Sequence, residues 1–155
     1  MKAIEFTEHL SIQAKNSLIE FSQPMPEAKG HDLLVKISAT SVNPVDVGVR
    51  KNGYRKLTNP KVIGWDAVGV VVNTGKEVTL FHNGEKVFYA GSFIRPGSNS
   101  EYQLVDERIV GHAPQTLSDA EIAAMPLTSL TAWEALFEQL EISPYNKEKI
   151  IKIPS

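Results

Sequence analysis

Val62-Ile63-Gly64-Trp65-Asp66-Ala67-Val68-Gly69-Val70-Val71 is the most informative run in the chain. From Ala67 to Val72 it is continuous and β-branched, the pattern of a strand buried on both faces. Gly75-Lys76 then turns the chain. Working outward, further strand candidates flank it. Upstream, Leu33, Val35, Ile37 and Ala39 alternate with Leu34, Lys36, Ser38 and Thr40, the period of a β-strand. Ala3–Phe6 and Leu18–Phe21 are short apolar segments, the second stopped by Pro24 and Pro26. Downstream, Lys86–Ala90 and Glu101–Val105 complete the set. Short strands at this spacing, with turn residues between them, predict an all-β barrel or sandwich.

Helices enter at three places. Asn43-Pro44-Val45-Asp46 reads as a helix start, with Asn at the cap, Pro at the first helical position and an acid in the first turn. Ser118-Asp119-Ala120-Glu121 fits a capping box. Residues Thr128–Leu140 carry Leu130, Trp133, Leu136, Phe137 and Leu140 at helical spacing, which predicts an amphipathic helix with Trp133 in the core. Ile150-Ile151-Lys152-Ile153 reads as the opening of one more strand.

The 155 residues suit one domain, and a chain of this length buries a substantial core. With 16 basic and 18 acidic side chains, the net charge is −2. No broad basic footprint for nucleic acid exists. Hydrophobic residues make up 42% and charged residues 22%, as in ordinary globular domains. Cysteine is absent, which excludes disulfides, thiolate nucleophiles, iron–sulfur clusters and cysteine-ligated zinc. His9, His31, His82 and His112 form no metal-binding pair at local spacing and read as surface or turn residues. There is no apolar stretch of signal-peptide or membrane-span character, so the expectation is a cytoplasmic protein with no membrane partner.

Three blocks carry a specific resemblance. They are Ser41-Val42-Asn43-Pro44-Val45-Asp46 with Val49-Arg50, the Val62–Val71 run, and Tyr89-Ala90-Gly91 through Arg95-Pro96-Gly97-Ser98-Asn99 to Leu104–His112. In order and spacing they resemble the N-terminal domain of the medium-chain dehydrogenase/reductase superfamily, closest to its zinc-type alcohol dehydrogenase-like and quinone oxidoreductase branch. Pro126–Trp133 is similar to the segment that precedes the cofactor domain there. The resemblance spans Met1 to about Ser143. It implies a mainly β fold with a few helices: a GroES-like, partly open β-barrel over residues 1–143, with 144–155 as the start of a cofactor domain. A Rossmann partner domain is expected in the family, but no G-x-G-x-x-G run occurs here to cradle a pyrophosphate. The chain therefore reads as the catalytic half of a two-domain reductase, with little turnover expected from it alone.

The resemblance also assigns the site. Zinc-using relatives place ligands at the positions of Asn43, of Trp65-Asp66 and of Leu127. Asn, Trp and Leu are not zinc ligands, so neither catalytic nor structural zinc is expected. Without a metal to activate an alcohol, hydride transfer from NADPH to an already electrophilic quinone or α,β-unsaturated carbonyl remains feasible. Asn43 has two readings, a helix cap and an amide beside the nicotinamide and acceptor. Tyr54, after the Asn52-Gly53 turn, reads as a loop residue or as a phenol that hydrogen-bonds the acceptor. Thr131 reads as a plain helix residue or as a partner of the nicotinamide carboxamide. Trp65 reads as packing or as an aromatic wall, with Asp66 and Phe93 beside it in the substrate pocket. Asp66 is expected to serve as a hydrogen-bonding group near the cleft, Asp46 as a first-turn acid, and Arg95 as a solvated loop residue. The alternative to an enzyme is a GroES-like module that works by binding or assembly, forming a homo-oligomer through apolar surface.

Overall fold

The computed structural model describes residues 1–53 and 56–144. Among these residues, eight strands form two antiparallel sheets. β1 (Lys2–Glu8) lies between β2 (Ile19–Ser22) and β4 (Lys56–Val62) in a three-stranded sheet. The second sheet has the order β7 (Tyr102–Asp106), β3 (Asp32–Thr40), β5 (Asp66–Thr74), β6 (Lys86–Ala90), β8 (Gly111–His112). α1 (Pro44–Lys51) follows β3, while α2 (Asp119–Ala123) and α3 (Pro126–Trp133) follow β8. A π-helical stretch, Glu134–Gln139, continues α3.

β5 is the central strand. Asp66, Ala67, Val68 and Gly69 are all buried, as the β-branched run predicts. One face supplies Ala67 and Val71 to a cluster with Leu33, Val35, Phe81, Val87, Tyr89 and Val105. The other supplies Val68 to Ile122 and Ala123 of α2. β3 departs from simple alternation at its start, where Leu33, Leu34 and Val35 are all buried. The strand is covered on both sides there and returns to alternation from Lys36.

The two sheets are joined by the loop after Arg95 rather than by a continuous ladder. Gly97 N–H donates to Val62 O (3.0 Å), Ser98 N–H to Gly64 O (2.9 Å) and Asn99 N–H to Ile63 O (3.0 Å). On its far side, Ile4 N–H donates to Asn99 O (2.8 Å). This is how a barrel stays partly open and still holds together. Gly64 stands at φ +107°, a region L side chains rarely adopt. A Cβ there would meet Ser98 Oγ at 2.5 Å and Asn99 N at 2.9 Å.

α2 carries the predicted capping box, with Ser118 N–H donating to Glu121 Oε2 at 2.8 Å. The helix predicted over Thr128–Leu140 is present as α3 and its π continuation. Its apolar residues do not form a core. Leu130, Leu136 and Leu140 are exposed, and Trp133 is 52% exposed, its ring edge-on to Phe137 at 4.5 Å. The helix lies over a shallow hollow of ≈ 250 Å³ lined by Phe88, Ile109, Pro126, Leu130 and Trp133. Among the described residues, no helix is long and apolar enough to cross a membrane. The strand predicted at Ile150–Ile153 lies outside the described residues.

Candidate functional site

Three segments far apart in sequence converge on one buried carboxylate. Asp66 opens β5 and is fully buried. Its Oδ2 accepts from Ser41 Oγ (3.1 Å) and from Asn43 Nδ2 (2.9 Å). Its Oδ1 accepts from Leu127 N–H (2.9 Å), in the first turn of α3. Its backbone oxygen accepts from Ser98 Oγ (3.2 Å). A buried anion needs such a shell, since unpaired charge is strongly disfavoured away from water.

Asn43 stands at the N-cap of α1 in an extended conformation and is buried. Its backbone N–H donates to Asp46 Oδ2 at 2.8 Å, and its side-chain amide turns to Asp66. The cap and the cleft therefore share one residue. Asp46 is the first-turn acid of α1, as expected, and it is buried as well. Burial pushes its carboxyl above the ordinary aspartate range. Backbone N–H donors from Asn43, Asp46 and Gly64 pull it back only in part, and the Asp66 charge adds to the rise.

Trp65 is 3% exposed and packs with Phe6 and Ile63. Phe93, 54% exposed, lies against its indole, ring centroids 4.7 Å apart and planes tilted by 44°. The structure thus pairs Asn43 with Asp66, and Trp65 with Phe93. Thr131 lies one turn beyond Leu127 on α3, exposed, with Oγ1 donating to Leu127 O (3.0 Å). Tyr54 lies outside the described residues. Arg95 is not a free loop cation: it donates to Asp32 Oδ1 at 2.8 Å. His31 likewise is engaged, its Nδ1 2.7 Å from Oε1 of the buried Glu107.

Sequence reading missed Ser41, Ser98 and the Leu127 amide. A serine hydroxyl has many bland explanations, and a backbone N–H leaves no mark in residue type. The positions where the resemblance sets zinc ligands do meet in space. They present an amide, an indole, one carboxylate and a backbone N–H, and both Asp66 oxygens are taken by donors. Among the described residues, no group of three His, Cys, Asp or Glu side chains gathers. This donor set does not fit a zinc ion, which takes thiolate, imidazole and carboxylate ligands.

Known proteins share this fold. Residues 29–115 match the alcohol dehydrogenase GroES-like domain. A zinc-type alcohol dehydrogenase-like protein of Staphylococcus epidermidis is 45% identical over 143 residues, 92% of this chain and 42% of its own length. Among solved structures, a putative zinc-dependent alcohol dehydrogenase protein from Rhizobium etli superposes with a TM-score of 0.86 at 51% identity, over 94% of this chain and 43% of that one. The quinone oxidoreductase from Coxiella burnetii does so with a TM-score of 0.81 at 28% identity, over 94% of this chain and 47% of that one. The chain spans less than half the length of these relatives. This chain therefore belongs to the alcohol dehydrogenase GroES-like domain family, within the medium-chain dehydrogenase/reductase superfamily.

Proposed function

We propose that this chain is the acceptor-binding half, spanning residues 1–143, of a zinc-independent NAD(P)H-dependent reductase acting on a quinone or an α,β-unsaturated carbonyl. The observation that carries the reading is the Asn43–Asp66–Leu127 cluster. Neutral hydrogen-bonding groups and one saturated carboxylate stand where a metal centre would need ligands. The names of the relatives support reductase or dehydrogenase chemistry at this fold.

When bound, the reduced nicotinamide supplies a hydride to the electrophilic carbon, and a proton from solvent completes the reduction. Asn43 and Thr131 would hold the nicotinamide end. Asp66 fixes the Asn43 amide by accepting one of its N–H bonds, which leaves the other N–H to orient a carbonyl. Thr131 spends its proton on Leu127 O and keeps its oxygen as an acceptor for a carboxamide N–H. Trp65 and Phe93 make the aromatic wall for a flat acceptor. Tyr54 is assigned to the same pocket from the sequence resemblance. The pyrophosphate end has no glycine-rich cradle in these 155 residues and would be held by a second domain.

The test is NADPH-dependent reduction of a simple quinone and a simple enone by the two-domain protein that carries this domain, with and without a chelator. Activity is expected to survive chelation and to fall by about 10²-fold on Asn43→Ala, as when one positioned donor is removed. Activity lost to the chelator and restored by zinc would overturn the reading.

A second reading is favoured by one observation, the exposure of the apolar face of Leu130, Trp133, Leu136 and Leu140 among the described residues. It makes the chain a binding or assembly module whose partner covers that face. Sedimentation of a clean monomer at high concentration counts against it.

A further inference from the structure

We infer that the Trp65 indole N–H is a ligand-binding donor, which takes the carbonyl oxygen of a flat, uncharged conjugated carbonyl compound lying against Phe93. The inference rests on the proposed reading of this wall and adds the atom that recognises the ligand.

Trp65 Nε1 is buried and has no acceptor, the one such side-chain atom among the described residues. Its surroundings are otherwise well matched. Asp66, the next residue, accepts from three donors, and Tyr89 Oη–H donates to Gln103 Oε1 at 2.9 Å. A buried indole N–H ordinarily finds a partner, and an orphan is unfavourable. Packing does not explain the polar atom: the contacts with Phe6 and Ile63 are apolar.

Phe93 borders the indole. Its loop is tied at both ends, where Gly91 N–H donates to Trp65 O (2.7 Å) and Gly97 N–H to Val62 O (3.0 Å). Between these ties Phe93 and Ile94 are exposed. In the inferred complex the Phe93 side chain rotates aside to admit the ligand to the indole. Charge narrows the ligand. An indole N–H is a donor only, so the ligand must present an acceptor. The cation of this loop, Arg95, is held by Asp32, which leaves no counter-charge for a carboxylate or phosphate. A neutral ketone or quinone oxygen remains, and the tilted aromatic pair suits a planar molecule.

The chain has two tryptophans, so its ¹H–¹⁵N spectrum carries two indole signals, and Trp133→Phe assigns them. The probes are 2-cyclohexen-1-one and cyclohexene, its carbonyl-free counterpart. The Trp65 indole proton is expected to move downfield saturably with the ketone and to stay with the hydrocarbon. In Trp65→Phe, ketone affinity read from the backbone signals of residues 91–97 should fall by about five- to tenfold. A Trp65 signal unmoved by the ketone, or moved equally by cyclohexene, overturns the inference, as does unchanged affinity in Trp65→Phe. None of these readouts needs turnover. If the indole signal responds but NADPH is never oxidised by the enone in the two-domain protein, the redox reading fails and the carbonyl site stands.

Discussion

Asp66 is the residue whose loss should be felt most widely. Asp66→Ala strands the Asn43 amide and the Leu127 N–H in a buried site. An unsatisfied buried donor costs about 1–3 kcal/mol, so the variant should lose about 3 kcal/mol in urea denaturation. Asp46 shows the opposite economy. Folding raises its carboxyl above the ordinary range, so the folded chain keeps a proton that the unfolded chain has released. Its contribution is present in full below the ordinary aspartate pKa and is lost as pH rises through the higher folded value. Asp46→Asn keeps an oxygen for the Asn43 N–H and removes the charge. It should therefore gain more stability at about pH 7 than at about pH 4, read as denaturation midpoints at the two pH values. Of this site, Asn43, Trp65 and Asp66 are visible as residue types in the Val62–Val71 run and the segment before it. What joins them is not visible, since Ser41, Ser98 and the Leu127 amide act through groups common to loops everywhere.

At the scale of elements, the turn at Gly64 bears the join between the two sheets. Gly64→Ala combines a left-handed backbone with a Cβ pressed against Ser98 Oγ and the Asn99 amide. A cost of about 2–3 kcal/mol is expected in thermal or chemical denaturation, with weaker protection of the 62–64 and 97–99 amides. By comparison Ser118→Ala removes one arm of the α2 cap and should cost about 1 kcal/mol. Element by element, legibility tracked chemistry. β5 was readable because only a doubly buried strand needs so many β-branched residues in a row. β4 went unseen: Lys56–Val62 is polar, contains Pro60, and forms an edge strand against β1 alone. α3 was readable as a helix but not as an exposed one. Periodicity shows that Leu130 and Trp133 share a face and says nothing of what lies opposite.

For the whole molecule, that face is an extended apolar surface among the described residues. Leu130, Trp133, Leu136 and Leu140 are each at least 40% exposed along one helical run. Contiguous apolar area of this kind promotes association. Leu130→Lys combined with Leu140→Lys should therefore shift the chain toward monomer in sedimentation velocity without lowering its melting temperature. An unchanged distribution would assign any association to another surface.

The hydrogen bond from Leu127 to Asp66 sets a clock as well as a geometry. First-turn helix amides have no partner within their own helix and commonly trade their protons with water quickly. The Leu127 N–H instead donates a hydrogen bond to the buried carboxylate that opens β5. In deuterium oxide this amide should exchange only when the barrel itself opens, orders of magnitude more slowly than its position in α3 implies. Its rate then reports, from a single atom, how often the candidate site comes apart.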